Sequence, residues 1–430
     1  MEQLEQSEPL KTSGFFSSLG YRDYRRLWVA TACSQAALWA LIVLRGALVY
    51  ELTQSNAWVG LVTMAAHLPS LVVTPFAGYL ADRYERRHLL ALTYSLNLGV
   101  SILLAGLVVS GHATELSILA LAIGNGIIRA TEMPTNQALL PNLVPRERLL
   151  NAIALNQLMQ QGSRMLGPLC ILPIIRFLGP EPAFFMSALL YLVGWLQVLR
   201  IRTASRGVMV AQQGIFANLG AGLGYIYTHP LVLCVVLLTV FHCALTMAYE
   251  SVFPFFARAQ LGLTSVRDLF EGPTYLMIGV GAGAVIGNLT LARVSDQLLR
   301  GRLFLWLGLL SGLMPIVLGY TTTLSSAVLA AATVGMSTAA FMTLSHSVIQ
   351  GLAPDGIRGR IMSANTWHVQ GAMSAFNAVN GLLMDVSWMT ASLLLSGTGI
   401  LFVVLMLASL LIGHLRTIYA QGLPREVLAR

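Results

Sequence analysis

The sequence predicts an all-α membrane protein whose twelve transmembrane helices form two pseudo-symmetric six-helix bundles. Three observations lead there: a composition unsuited to water, apolar stretches of bilayer length that recur along the chain, and an internal repeat at an offset of 209 residues. Of 430 residues, 56% are hydrophobic and only 10% charged, with a mean hydropathy of +0.71. An average soluble domain carries about 25% charged residues.

A hydrocarbon core about 30 Å thick needs roughly 20 apolar residues per helix. Stretches of that kind fall at 28–50, 57–80, 88–111, 116–140, 149–178 and 182–199, and again at 230–257, 272–292, 303–320, 323–352, 361–383 and 388–415. The expected domains are a segment 1–27, a first bundle 28–199, a linker 200–229, a second bundle 230–415 and a tail 416–430. In the linker, apolar residues of 215–227 recur at helical spacing, as they do in 15–27, which reads either as an interfacial amphipathic helix or as a lead-in to the next span.

An even number of spans puts both termini on one side. Loops rich in Lys and Arg stay cytoplasmic. With the termini inside, only Arg45, Arg129, Arg164, Arg176, Arg258 and Arg267 of the 26 lysines and arginines fall elsewhere. The expected location is therefore a bacterial inner membrane, with both ends cytoplasmic. The net charge of +8 follows from the same bias and calls for membrane lipids as neighbours, with no nucleic-acid partner. Cys33, Cys170, Cys234 and Cys243 all fall inside expected spans, so neither a disulfide framework nor a metal site is expected. Residues 1–9 are acidic and polar, without a cleavable signal pattern, so the first helix is expected to direct its own insertion.

The repeat pairs Met133 with Met342, Leu143 with Leu352, Pro145 with Pro354, Asn156 with Asn365, Gln161 with Gln370 and Gly162 with Gly371. Both copies cover the end of a fourth helix, its loop and the start of a fifth. Repeated halves are how many secondary transporters build a site at the bilayer midplane.

The segment 78–87 reads Gly78-Tyr79-Leu80-Ala81-Asp82-Arg83-Tyr84-Glu85-Arg86-Arg87. A weaker copy runs from Ala292 through Asp296 to Arg300 and Arg302, and 354–363 reads P-x-x-x-R-G-R-x-x-S with Arg358 and Arg360. These loops resemble those of the major facilitator superfamily, and Met133-Pro134 through Pro145 resembles its enterobactin-exporter and macrolide-efflux branch. The resemblance implies the major facilitator fold. It also implies a gate motif of Gly78, Asp82, Arg83, Arg86, Arg87, Asp296, Arg358 and Arg360, with Asp82 latching the inner mouth against the eleventh helix. A carboxylate suits that task because the start of a helix carries partial positive charge. The fifth helix departs from the drug/proton antiporter pattern: Gly167-Pro168 is present, but Ser163, Ile171 and Leu172 stand where glycines are usual.

Ionisable side chains inside a bilayer are costly and so are candidates for function. Arg45, Arg129, Glu132 and Glu250 are the candidates for proton or substrate coupling. Arg129 and Glu132, three residues apart, either brace one helix as a fixed pair or take part in coupling, and Glu250 is either a proton carrier or an interfacial residue. Trp39, His67, Asn156, Gln160, His242, Asn365 and His368 are candidates to line a cavity; the competing readings are helix packing for the amides, a bond to a neighbour or water for the histidines and a place at the membrane interface for Trp39.

No G-x-x-x-x-G-K-[ST] phosphate loop occurs, and no H-E-x-x-H or G-x-S-x-G motif. The chain is expected to be no enzyme and to need no cofactor. The expected function is secondary export of a small amphipathic molecule, such as a siderophore or drug, by a monomer using the proton gradient. The alternatives are a lipid or lysolipid transporter on the same scaffold and, more distantly, a membrane sensor or membrane-embedded enzyme.

Overall fold

The computed structural model describes residues 16–205, 215–292, 294, 296–354 and 356–422, and every regular element among them is helical. The first bundle comprises α1 (Arg22–Thr53), α2 (Asn56–His67), α3 (Pro69–Arg83), α4 (Arg86–Val109), α5 (Glu115–Leu139), α6 (Leu149–Leu178) and α7 (Pro180–Leu199). After α8 (Ile215–Thr228) come α9 (Pro230–Thr246), the short turn α10 (Phe253–Phe255), α11 (Val266–Leu291), α12 (Gln297–Gly319), α13 (Leu324–Leu352), α14 (Arg358–Met384), α15 (Ala391–Ala408) and α16 (Gly413–Gln421).

Local chemistry sets the boundaries. Thr114, Ser265, Thr323 and Thr390 accept backbone N–H groups from the first turns of α5, α11, α13 and α15, satisfying donors that a helix start leaves free. Pro69, Pro180 and Pro230 stand at first helical positions, where the missing N–H costs nothing. The expected second span, 57–80, is split at Leu68, because a proline inside a helix removes a ladder bond. The expected seventh span, 230–257, is broken over 247–252. Two asparagines of α14 satisfy the freed backbone: Asn380 donates to the Ala248 carbonyl at 2.7 Å, and Asn377 accepts from the Ser251 N–H at 3.3 Å.

Nine helical stretches among the described residues are long and apolar enough to cross a bilayer, and a bent pair, Leu219–Thr228 with Pro230–Thr246 at 107°, adds a tenth if counted as one span. Outside the nine are α6, α9 and α14. At 30 and 27 residues, α6 and α14 have the length, but they carry polar runs that include Asn156, Gln160 and Arg164 on one and Asn365, Asn377 and Asn380 on the other. α9 is cut to 17 residues by the break after Thr246.

Inside the first bundle α1 packs on α6 and α7, α4 on α5 and α7, and α3 on α5; inside the second, α11 packs on α13, α12 on α13 and α15, and α9 on α14. Between bundles the seams are α2 with α14 and α6 with α11, supplemented by α1 against α10 and α11. Glycines allow these approaches: a Cβ on Gly60 of α2 would lie 2.6 Å from the Asn377 carbonyl oxygen of α14, and one on Gly281 of α11 would lie 2.7 Å from the Arg164 carbonyl carbon of α6.

Three hydrophobic cores result. One combines Leu41, Val59 and Phe184 of the first bundle with Phe253, Leu276 and Met373 of the second. The other two each stay within one bundle: Tyr24, Tyr94 and Leu155 in the first, Phe304, Phe341 and Phe402 in the second. The starts of α1 and α14 lie in the separate cores and their later turns in the shared one. The bundles are thus fused on the far side and distinct on the arginine-rich side. The helix α8 docks by Leu219, Leu223 and Ile226 on the second core and packs against α14, with Ile226 fully buried and the two leucines partly so. The lead-in to α1 is a 3-10 turn, Ser17–Gly20, tied to Asn151 and Arg148.

Candidate functional site

Polar side chains concentrate in two places between the three cores. The first is a chain of hydrogen bonds inside the first bundle. Arg45 of α1, 2% exposed, donates to Asn125 of α5 at 3.2 Å; Asn125 donates to Asn97 of α4 at 2.8 Å; Asn97 donates to Glu132 at 3.4 Å. Ser34 of α1 donates to the other Glu132 oxygen. The Glu132 carboxylate, 3% exposed, is therefore held by neutral donors. Arg129 turns to α1 instead and donates to Gln35 at 3.3 Å, so among the described residues no ion pair joins it to Glu132. The fixed Arg129–Glu132 brace does not form, because neighbouring side chains of α1 supply closer partners than the two residues offer each other.

The second place lies between the bundles. His67, the last residue of α2, meets Glu250 at 3.3 Å across the boundary; Glu250 sits in the broken stretch after α9 and is 7% exposed. Beside them the Arg164 guanidinium of α6 lies over the Trp39 ring of α1, 4.7 Å from its centroid, and donates to the Tyr249 hydroxyl at 3.5 Å. Arg129 is within electrostatic reach of Glu132, Glu250 and Arg164. The site thus draws on α1, α2, α5, α6 and the break that α14 holds open.

A polar seal closes the far side. Asp385, just after α14, accepts from the Asn56 N–H at 2.7 Å, the Ala57 N–H at 3.1 Å and the Ser55 hydroxyl at 2.6 Å, all at the start of α2 in the opposite bundle. Burial pushes this carboxyl up, but the bonds from Ser55, Ala57 and Asn56 outweigh it and hold it below the usual aspartate range. Arg258 donates to Gln54 and lies over the Tyr50 ring, 5.8 Å from its centroid, closing the same face beside α1.

The remaining expected residues have other places. The motif 78–87 is mostly helix: α3 runs to Arg83 and only Tyr84 and Glu85 separate it from α4. Gly78 and Asp82 both lie on α3, and the side chain of Asp82 lies outside the described residues. Arg83 is exposed, while Arg86 donates to the Ala138 carbonyl at 3.0 Å and Arg87 pairs with Glu85 at 3.0 Å and reaches the Ile201 carbonyl. Asp296 caps its own helix, α12, by accepting from Leu298. Arg358 donates to the Gln350 and Ala353 carbonyls at the end of α13, and Arg360 is half-buried in the first turn of α14.

His242 is not a cavity residue: it is fully buried among rings, 4.6 Å from the Phe341 centroid and 5.3 Å from that of Phe402. Asn365 is likewise fully buried in α14. Asn156 is buried in α6 and Gln160 half-buried; His368 contacts the Tyr227 hydroxyl of α8 at 3.0 Å. Among the described residues none of Asn156, Gln160, Asn365 and His368 hydrogen-bonds to His67 or Glu250. Among the described residues no cluster of potential metal ligands occurs. Gln35, Asn97, Asn125 and Asp385 were not anticipated, although three of them are polar residues inside apolar stretches.

The fold is that of solved transporters: a mutant form of the nucleoside transporter NupG superposes with a TM-score of 0.71 over 90% of this chain and 97% of its own, at 10% identity. Among curated relatives, a staphyloferrin A transporter of Staphylococcus aureus is 29% identical over 149 residues, which is 34% of this chain and 38% of that protein. The multidrug resistance protein MdtG of Dickeya zeae is 24% identical over 310 residues, 72% of this chain and 74% of its own length. These relatives are transporters and not enzymes. The model of the MFS_3 family, described as transmembrane secretion effector, matches residues 13–421, and the chain belongs to that family of the major facilitator superfamily.

Proposed function

We propose that the chain exports a small amphipathic molecule, a siderophore or a drug, across a bacterial inner membrane by alternating access, as a monomer driven by the proton gradient. The observation that carries this reading is the asymmetry of the two sides: a shared core and the Asp385 seal on the far side, and separate cores on the arginine-rich side. In this reading the space between the bundles opens toward the arginine-rich side. The names of the relatives, a staphyloferrin A transporter and a multidrug resistance protein, support the substrate range.

In this reading Glu250 carries the coupling proton. It is a buried acid that bridges the bundles, and its contact to His67 must change when they part. A proton arriving on Glu250 removes its charge and weakens its hold on α2, so proton binding and far-side opening become linked. Glu132, enclosed in one bundle, instead keeps α1, α4 and α5 in register. Asp82 keeps its proposed role of latching the inner mouth when the far side opens.

The test is transport in proteoliposomes of defined orientation with an imposed pH gradient, screening siderophores and drugs that accumulate in a deletion strain. Gradient-dependent movement that disappears on collapsing the gradient supports the reading. Equal movement with and without the gradient removes proton coupling, and no movement of any compound removes export.

A further inference from the structure

Two arginines flank one face of α1. Gln35 and Trp39 are four residues apart and so lie one above the other on that face. Arg129 reaches Gln35 from α5, and Arg164 covers Trp39 from α6. Four residues of helix rise about 6 Å, which sets the approximate spacing of the two guanidiniums along α1. Both side chains are half-buried.

Their donors are under-used. A guanidinium has five N–H groups. Arg129 donates to a single neutral oxygen, and its Nη1 is buried with no partner among the described residues. Arg164 has a ring face and one long bond to a hydroxyl. The nearby acids are engaged elsewhere: Glu250 with His67, Glu132 with Ser34 and Asn97. An unpaired guanidinium held away from bulk water is costly, and carboxylates are its best-matched partners.

We propose that Arg129 and Arg164 together hold an organic anion with two carboxylates about one helical turn apart, one on each guanidinium. This rests on the transporter reading and narrows it to substrate class. Cationic amphiphiles, common cargo of multidrug carriers, would meet two positive charges here.

The test uses two dyes with the same xanthene frame and opposite charge, 5-carboxyfluorescein and rhodamine 6G, titrated with the purified chain in detergent and read by fluorescence anisotropy. Carboxyfluorescein is expected to bind, and Arg129→Gln and Arg164→Gln each to weaken it about tenfold or more. Arg164→Lys should restore part of the loss, which a purely structural role for the side chain does not predict. Size-exclusion profiles identify any variant that fails to fold. Preference for rhodamine 6G, binding of neither dye, or folded glutamine variants with unchanged affinity would each overturn the proposal. Counterflow in proteoliposomes separates the two claims: rhodamine transport without carboxyfluorescein binding sinks the substrate class alone, whereas carboxyfluorescein bound but never moved sinks the transporter reading alone.

Discussion

Asp385 and Asn56 belong to opposite bundles, yet the carboxylate of one lies 2.7 Å from the backbone nitrogen of the other and caps the helix that begins there. A cap of this kind contributes about 1 kcal/mol, and less where water competes, as it does at this exposed carboxylate. Asp385→Ala should therefore shift the population toward far-side opening by up to about fivefold. The readout is the labelling rate of Phe253→Cys, buried beneath the seal, by an impermeant maleimide in a background with the four native cysteines replaced.

The same contact has a pH signature. The sealed state holds the Asp385 carboxyl below its usual range, whereas the open state returns it toward about 3.9. A depressed value stabilises the sealed state above that ordinary value, and the stabilisation is lost as pH falls through the lowered one. In a Glu250→Gln background, which removes the other proton-linked contact, labelling of Phe253→Cys, taken relative to an always-exposed cysteine at the same pH because the thiolate fraction falls with pH, should be flat from neutral pH to about pH 5 and should rise only below about pH 4. The Asp385→Ala variant should lack that rise.

Glu250→Gln keeps the size of the side chain and removes its charge. Substrate exchange without a gradient should persist, while uphill transport driven by an imposed pH gradient should fall by an order of magnitude or more, as measured in proteoliposomes. Intact uphill transport would exclude Glu250 as the proton carrier.

Glu132→Ala should act on stability instead. It leaves Ser34 and Asn97 without their acceptor inside the first bundle. Losing a buried partner costs about 1–3 kcal/mol, which should appear as a lower melting temperature in detergent. An unchanged melting temperature would mean that the network contributes nothing to holding α1, α4 and α5 together.

Gly60→Val tests the α2–α14 seam. The first added carbon would already lie 2.6 Å from the Asn377 carbonyl oxygen and 3.0 Å from the Gly381 Cα, both on backbone that cannot swing aside. The far side should then be unable to close, transport should stop, and Phe253→Cys should label rapidly. Wild-type transport by this variant would show that the seam need not be tight.

Much of the architecture was legible because burial in lipid leaves a coarse signal. Long apolar stretches, arginine placement and the motif 78–87 pointed to the fold. Details set by one helix against another were not legible. Arg129 and Glu132 are correctly spaced for a pair along α5, and nothing in the sequence says that Gln35 and Ser34 of α1 stand closer. The break after Thr246 had a local hint in Pro254, but what makes it stable is Asn377 and Asn380, well over a hundred residues later. His242 in an apolar helix reads the same whether it faces water or the rings of Phe341 and Phe402. Asp385 looked like any solvated loop acid, because its partners lie at the other end of the chain.

The single core that runs through both bundles on the far side has a thermal consequence. Parting the bundles there brings Leu41, Val59, Phe253 and Leu276 toward water, and hydrating apolar surface raises heat capacity. The equilibrium between the two orientations should therefore curve when plotted against inverse temperature, with the enthalpy of opening growing as the sample warms.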